Sequence, residues 1–257
     1  MSFLFDTWVL FVRAIKKLVR TPILLFFSLF QPIMFLVLFT QLFNKFGTLI
    51  ASSYPGVSYL SFATAGIILQ NGFSSALQSG TSIVDDLTSG FLEKELVTPV
   101  SRYAILLGRL LSDAFRVVVQ SAIIVLLALA LGAQFTTGLP GVLLIFLIVA
   151  FFGLAWSGIS LAIGLRTKSA ETVFGIGGFL TFPLLFMSSA LVPVSLMPSW
   201  MQSVSQVNPI SYTVDAVRAL TIVGFDWGKV LEAFGIVGLI AVVTLGATLY
   251  LFRKVVS

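Results

Sequence analysis

The chain contains no histidine and no cysteine among its 257 residues. The lack of cysteine excludes a disulfide framework and thiol chemistry. The lack of histidine excludes imidazole catalysis, histidine-ligated metals and imidazole proton relays. The sequence also has no G-x-x-x-x-G-K-[ST] run and no soluble stretch long enough for an ATPase domain. If the protein uses ATP, a separate chain must bind and hydrolyse it.

Charge is also scarce, and apolar residues are abundant. Only 10% of the residues are charged, 58% are hydrophobic, and the mean hydropathy is +1.08. Because a soluble domain carries about 25% charged residues, this composition is typical of a membrane protein. The net charge of +5 is explained by basic cytoplasmic loops, so we expect a lipid bilayer and no nucleic acid as a partner.

Long apolar runs predict an all-α membrane protein with six transmembrane helices. The runs cover about 22–43, 59–84, 103–131, 141–165, 170–191 and 229–252, each near the ~20 residues needed to cross the bilayer core. Pro32 predicts a kink in the first helix. Of the fifteen lysines and arginines, twelve fall on one side of these runs, and only Lys45, Arg218 and Lys229 fall on the other. This asymmetry predicts a multi-pass protein of the plasma (inner) membrane with both termini in the cytoplasm.

Two amphipathic segments accompany these runs within the single predicted transmembrane domain, 1–257. Residues 1–21 repeat apolar side chains at helical spacing, with Trp8 among them and Arg13 and Lys16 on the polar face. They predict a helix that lies in the membrane interface. Residues 192–228 predict two short re-entrant helices that form an extracellular lid, with Pro193 and Pro198 ending the fifth helix. The alternative for this segment is a loop lying on the surface.

The polar segment between the second and third runs is the main functional candidate. Five charged residues lie close together and Arg102 follows them: Asp85, Asp86, Glu93, Lys94 and Glu95. A charge in hydrocarbon costs several kcal/mol, so this segment must lie in water.

The same segment carries apolar residues at the spacing of a short amphipathic helix. Phe91, Leu92, Leu96 and Val97 would share one face, and Gly90 and Pro99 would bound the helix. Such a helix could dock into a groove on a soluble partner. A solvated loop that contacts nothing is the equal alternative.

The second run carries polar residues at a spacing of four. One row is Gln70, Ser74, Gln78 and Ser82, the adjacent row is Asn71, Ser75 and Ser79, and Gly72, Ala76 and Gly80 form a small-residue row. These rows indicate helix packing in lipid, or the wall of a translocation path or subunit seam. In the third run, Arg109, Asp113 and Arg116 are predicted to pair along one helix face near the cytoplasmic surface.

Several of these segments together resemble the permease subunits of type-2 ATP-binding-cassette exporters, in particular the daunorubicin-resistance-like branch. The polar segment is similar to the family's G-T-L-E-x-L-x-x-T-P-V-S-R, and it departs from the commonest form at Phe91, Lys94 and Glu95. The matching residues are Gly90, Leu92, Glu93, Leu96, Thr98, Pro99, Val100, Ser101 and Arg102. The segments S-S-A-L-V-P-V-S-L-M-P-S-W-M and N-P-I-S-Y-T-V-D-A-V-R resemble two further family signatures.

The resemblance implies an ATP-driven exporter in which this chain is the permease and carries no catalytic residue. Two ATPase subunits would bind ATP and Mg, and a second permease copy would complete a homodimer, or a sister chain a heterodimer. The implied ATPase-coupling residues are Asp86, Gly90, Leu92, Glu93, Leu96, Thr98, Pro99 and Arg102 within the coupling segment 85–102. The candidate path or seam residues, which come from the polar rows of the second run, are Gln70, Asn71, Ser74, Gln78 and Ser82. The implied extracellular gate residues are Pro193, Pro198, Trp200, Asn208, Pro209, Tyr212 and Arg218.

The abundance of phenylalanine in the first and fifth runs bears on the cargo. If these side chains line a path, the exported molecule should be hydrophobic or amphipathic, such as a drug, a lipid or a lipid-linked molecule; otherwise they face lipid or the core. Two other functions compete with export. The chain could be a membrane scaffold or regulatory subunit that docks an ATPase without transport. An intramembrane enzyme is disfavoured, because no paired carboxylates are predicted at mid-membrane depth.

Overall fold

The computed structural model describes residues 3–20, 22–43, 54–98 and 100–256, and all regular structure in these ranges is helical. Within these ranges ten α-helices follow in chain order: α1 Phe3–Arg20, α2 Pro22–Phe43, α3 Tyr59–Thr88, α4 Phe91–Leu96, α5 Arg102–Ala130, α6 Gly138–Thr167, α7 Ala170–Phe186, α8 Ser199–Val207, α9 Pro209–Arg218 and α10 Trp227–Val256. A short 3-10 turn, Val194–Leu196, precedes α8, and a π-helical turn, Ala219–Val223, follows α9.

The long helices begin and end close to the predicted membrane spans. In the part of the chain that the structure describes, four helical segments are long and apolar enough to cross a membrane: Phe26–Phe43, Arg102–Ala130, Gly138–Thr167 and Trp227–Lys254. Helix α3 has 30 residues, but its polar rows lower its hydropathy. Helix α2 continues through Pro32. The all-α membrane architecture is therefore confirmed.

The fifth predicted span is shorter than expected. Helix α7 has 17 residues and ends at Phe186, five residues before the predicted end at Leu191. The prediction that Pro193 and Pro198 end this helix is wrong, because the chain turns earlier, at Met187 to Ser189. Tertiary hydrogen bonds hold this turn, and sequence spacing does not reveal them. Lys45, which the charge asymmetry placed on the side opposite the basic residues, lies outside the described residues.

Helix α3 lies at the centre of the packing and contacts α2, α5, α6, α7 and α9. Its small residues face α6: the ring of Phe152 lies over Gly72, and the Ser160 hydroxyl accepts a hydrogen bond from the Gly80 amide at 3.1 Å. From the other side, Gly164 of α6 packs against the Gly80 carbonyl. The small-residue row is therefore a helix-packing surface, as the packing interpretation predicted.

Helix α1 is amphipathic and packs across α5. A Cβ atom at Gly108 would lie 2.8 Å from the Leu10 Cβ, so only glycine permits this close approach. Phe11 and Phe115 form an edge-to-face pair at 5.9 Å. Leu4 and Trp8 are exposed on the outer side of α1, as suits a helix lying in the membrane interface.

Candidate functional site

Helix α4 joins α3 to α5 at one end of the bundle. Gly90, between α3 and α4, has φ = 66°, a left-handed conformation that glycine adopts without a steric penalty. The Ser89 amide donates to the Asp85 carbonyl at 3.0 Å and closes the last turn of α3. The predicted short helix is therefore present, and it forms the tip of a hairpin made by α3, α4 and α5.

Of the predicted apolar face, Leu92 is turned toward the protein itself. Leu92 is only 1% exposed and packs in a cluster that includes Ile83 of α3 and Leu106 of α5. The docking hypothesis placed Leu92 against a soluble partner. In the structure Leu92 is buried within the protein instead, because the hairpin offers a closer apolar surface. Val97 remains 86% exposed, whereas Pro99 and the Leu96 side chain lie outside the described residues.

The outer face of the segment is polar and open to solvent. Glu93, Lys94, Thr98 and Arg102 are exposed there. Beside them, Arg13 of α1 bonds Glu95 at 2.8 Å and lies 4.4 Å from the centre of the Phe91 ring. Helix α1 thus contacts the side of α4 through Arg13. The sequence placed Arg13 on the polar face of α1 but did not predict this contact.

Asp86 is internal and does not lie on this outer face. It is 8% exposed and accepts a hydrogen bond from the guanidinium of Arg109 on α5. The sequence spacing had suggested that Arg109 pairs along its own helix with Asp113. That part of the prediction is wrong, because the carboxylate of Asp86 on the facing helix lies within reach.

A second charged pair lies deeper between the same helices. Arg116 bonds Asp113 at 2.9 Å, as the spacing predicted. Arg116 also donates to the Ser75 hydroxyl at 2.9 Å and to the Ser75 carbonyl at 2.8 Å. The Ser79 hydroxyl donates to Asp113. The row that contains Ser75 and Ser79 therefore joins α3 to α5.

The other polar row of α3 behaves differently. Ser74, Gln78 and Ser82 stay partly exposed, next to the line along which Leu77 meets Gly177 of α7. Above them, Gln70 Oε1 and both amide atoms of Asn71 are buried without a hydrogen-bond partner among the described residues. In this row only Ser74, Gln78 and Ser82 are open enough to contact another molecule.

The opposite end of the bundle holds the predicted gate residues. The Asn208 side chain caps α9 through the Ile210 amide at 3.0 Å and donates to the Leu184 carbonyl at 2.7 Å. Pro209 occupies the first turn of α9, where its missing amide hydrogen costs nothing. The Tyr212 hydroxyl donates to the Gln206 carbonyl at 2.6 Å. Trp200 and Pro198 are exposed, and Pro193 is buried.

Arg218 organises this end. Its guanidinium donates to the Ser189 carbonyl at 2.6 Å, the Ala190 carbonyl at 3.2 Å and Asp215 at 3.1 Å, and it lies 3.8 Å from the centre of the Phe62 ring. Burial lowers the pKa of Arg218, and the charge of Asp215 opposes this shift. Arg218 therefore fixes the turn after α7 to α3 and α9.

Two features define the class of protein: a bundle of long apolar helices, and a charged hairpin tip whose exposed face could meet a soluble partner. Residues 6–222 match the family described as ABC-2 type transporter. The chain belongs to this family of ATP-binding-cassette transporter permeases.

Named relatives agree with this assignment. The chain is 34% identical to the daunorubicin resistance ABC transporter permease protein DrrB1 of Streptomyces coeruleorubidus, over 81% of this chain and 72% of that protein. It is 34% identical to the putative transport permease ycf38 of Cyanophora paradoxa, over 85% of this chain and 74% of that protein. It is 24% identical to the probable doxorubicin resistance permease DrrC of Mycobacterium tuberculosis, over 82% of this chain and 75% of that protein.

Proposed function

We propose that this chain is the permease subunit of an ATP-driven exporter and that a separate ATPase binds the outer face of α4. Glu93, Lys94, Thr98 and Arg102 form the contact surface. Leu92 and Gly90 shape the helix, and Asp86 acts from inside the hairpin. The observation that carries the proposal is a short helix with a buried apolar residue and an exposed charged face at the tip of the hairpin.

Helix lengths support the placement of this tip in water. Helices α3 and α6 each have 30 residues, which gives a length of about 45 Å, whereas the hydrocarbon core is about 30 Å thick. The ends of these helices must therefore project beyond the core. We propose six spans with cytoplasmic termini, two ATPase copies that bind ATP and Mg, and a second permease copy that forms a homodimer in the plasma (inner) membrane.

The cargo is proposed to be hydrophobic or amphipathic, and to pass the partly exposed row of Ser74, Gln78 and Ser82. Neutral hydroxyl and amide groups can bind polar parts of such a molecule, and the flanking helices α2 and α7 are apolar. The two short helices between α7 and α10 would then lie over the exit as an extracellular gate in the outer leaflet.

The test is ATP-dependent uptake into inverted membrane vesicles that contain the chain and its co-expressed ATP-binding-cassette ATPase. Daunorubicin and doxorubicin are suitable first probes, because the names of two relatives include these drugs. A panel of lipophilic dyes would follow. We expect uptake with the native chain and with Ser203→Arg, an exposed change on α8. Glu93→Arg should abolish both uptake and co-purification of the ATPase.

The alternative of a scaffold gives a different result. A scaffold would bind the ATPase and leave its ATP hydrolysis intact, yet no probe would enter the vesicles. That outcome would contradict export. Unchanged co-purification with Glu93→Arg would contradict the assignment of α4 as the contact surface.

A further inference from the structure

Three polar contacts join α3 to α5 along one line, and we call them the α3–α5 ladder: Asp86–Arg109, Ser79–Asp113 and Ser75–Arg116. As the residue number rises on one helix it falls on the other, as antiparallel packing requires. Positions 109, 113 and 116 share one face of α5 and span about 10 Å along its axis. The ladder therefore reaches from the hairpin tip into the bundle.

Within the ladder, every charged side chain has an opposite charge as its partner. Two carboxylates and two guanidinium groups balance each other, and their side chains are between 10% and 17% exposed. If α3 and α5 moved apart, Asp86 and Arg109 would lose each other in a poorly hydrated site, which is strongly unfavourable. Asp113 and Arg116 pair along α5 and would keep that pairing, but they would lose their hydrogen bonds to Ser79 and Ser75. The ladder therefore opposes any scissoring or sliding of the two arms.

The short helix is attached to both arms as well. Leu92 lies in one buried cluster with Ile83 of α3 and Leu106 of α5, and the chain joins α4 directly to both arms, so a push on α4 reaches both helices. The boundary between α3 and α6 is different. Among the described residues it contains no ion pair, and its closest contacts use Gly80, Gly164 and the Ser160 hydroxyl. Movement along this boundary would separate no charges.

We propose that α3, α4 and α5 move as one rigid unit relative to α6, and that Asp86, Arg109, Asp113 and Arg116 are the positioning residues that make them rigid. The role of this unit in transport rests on the proposed function. The rigidity of the hairpin can be measured whether or not the protein exports a cargo. The four residues do not touch the ATPase or the cargo in this account, and they act by keeping α4 in register with both arms.

The chain lacks native cysteine, so introduced cysteines are the only sites for thiol-directed spin labels. The first pair, Thr88→Cys with Leu107→Cys, places exposed labels on the two arms of the hairpin. The second pair, Thr88→Cys with Arg166→Cys, places labels on the hairpin and on the end of α6. Distances are measured by electron paramagnetic resonance in lipid nanodiscs holding the ATPase complex, with labelled chains diluted by unlabelled ones.

On trapping the ATPase with ATP and vanadate, we expect the second distance to change and the first to stay the same. A change of similar size in the first pair would overturn the proposal. If the native complex shows no transport, the proposed export function fails, but the first pair still reports whether the hairpin is rigid.

The role of the ladder is tested by reversing the charges of its Asp86–Arg109 contact. Asp86→Arg and Arg109→Asp each place like charges together, and we expect ATP-driven uptake to fall roughly two- to thirtyfold, the range expected for a residue in a coupled network. Co-purification of the ATPase should persist, because the outer face of α4 is unchanged. The double variant restores opposite charges and should recover uptake.

A matched control reverses one charge of an exposed ion pair at the other end of the bundle. Asp226→Arg alters the exposed contact with Lys229, which spans 3.7 Å, and it should leave uptake unchanged. Single ladder variants with native uptake, or a reversed pair that stays as defective as either single change, would contradict a positioning role. A ladder variant that fails to reach the membrane leaves the distance measurement on the native hairpin as the deciding test.

Discussion

At the scale of single residues, Gly66 shows how closely α3 approaches the turn after α7. A Cβ atom at this position would clash with the Ala190 carbonyl oxygen. Gly66→Ala should therefore destabilise the protein by about 1–3 kcal/mol, the usual cost of overpacking. Thermal unfolding in detergent measures the change. The matched control is Gly175→Ala, which should cause no loss. Among the described residues, no atom outside the local helix backbone and the chain neighbours lies within 4 Å of a Cβ at Gly175. Equal melting temperatures for Gly66→Ala and the native chain would contradict this packing.

Arg218 holds the turn after α7 through hydrogen bonds to two backbone carbonyls. Arg218→Met keeps most of the side-chain volume but leaves the carbonyls of Ser189 and Ala190 without their donor. We expect a loss of about 2–4 kcal/mol, because each unsatisfied buried acceptor costs about 1–3 kcal/mol.

A polar pair elsewhere provides the control for Arg218. Asp226→Asn removes an ion pair whose side chains are 45% and 39% exposed, and it should cost no more than about 1 kcal/mol. Thermal unfolding of both variants separates the two cases. If Arg218→Met loses no more stability than Asp226→Asn, Arg218 does not hold the turn.

At the scale of elements, the packing of α1 on α5 places Arg13 beside α4. Gly108→Leu should lift α1, because the Leu10 Cβ and the Thr7 carbonyl oxygen lie 2.8 and 3.2 Å from the position of a Cβ. With Arg13→Cys and Glu95→Cys as the only cysteines, a short dimaleimide should crosslink α1 to α4. The crosslinking yield should fall in the Gly108→Leu background and persist with Leu126→Ala, an exposed change on α5. An undiminished yield with Gly108→Leu would show that α1 does not depend on this contact.

The elements were largely predictable from local patterns. The apolar run that begins at Pro22 gave the bounds of α2, and Gly90 marked the start of α4. Arg218 and Ser211 explain why the end of α7 was not predicted. They supply hydrogen bonds to the backbone of 189–190 from a segment more than twenty residues away, so the helix ends without a local signal.

The candidate site was less predictable than the helices, for the same reason. The spacing of Arg109, Asp113 and Arg116 identified the correct helix face, but it could not show that Arg109 reaches Asp86 on α3. Leu92 carried the right apolar signal, yet the signal could not distinguish a partner's groove from the protein's own hairpin. Pairing between helices is set by register, which a single sequence does not contain.

At the scale of the whole molecule, α3 connects the two functional ends. Near Gly66 it supports the turn held by Arg218, and at Ser89 and Gly90 it leads into α4. Its small-residue face meets α6, and its serine row meets α5 through the ladder. A force applied to α4 would therefore reach the end that holds the proposed gate through one continuous helix.

The most direct test of the central claim, that the outer face of α4 meets the ATPase, is site-specific photocrosslinking in cells. A photoreactive amino acid replaces Glu93 in one variant and Ser203, an exposed residue of α8, in the other. After irradiation, the account predicts a crosslink between the ATPase and position 93, and none with position 203. Failure of position 93 to crosslink, together with its modification by a membrane-impermeant reagent added outside intact cells, would contradict the account.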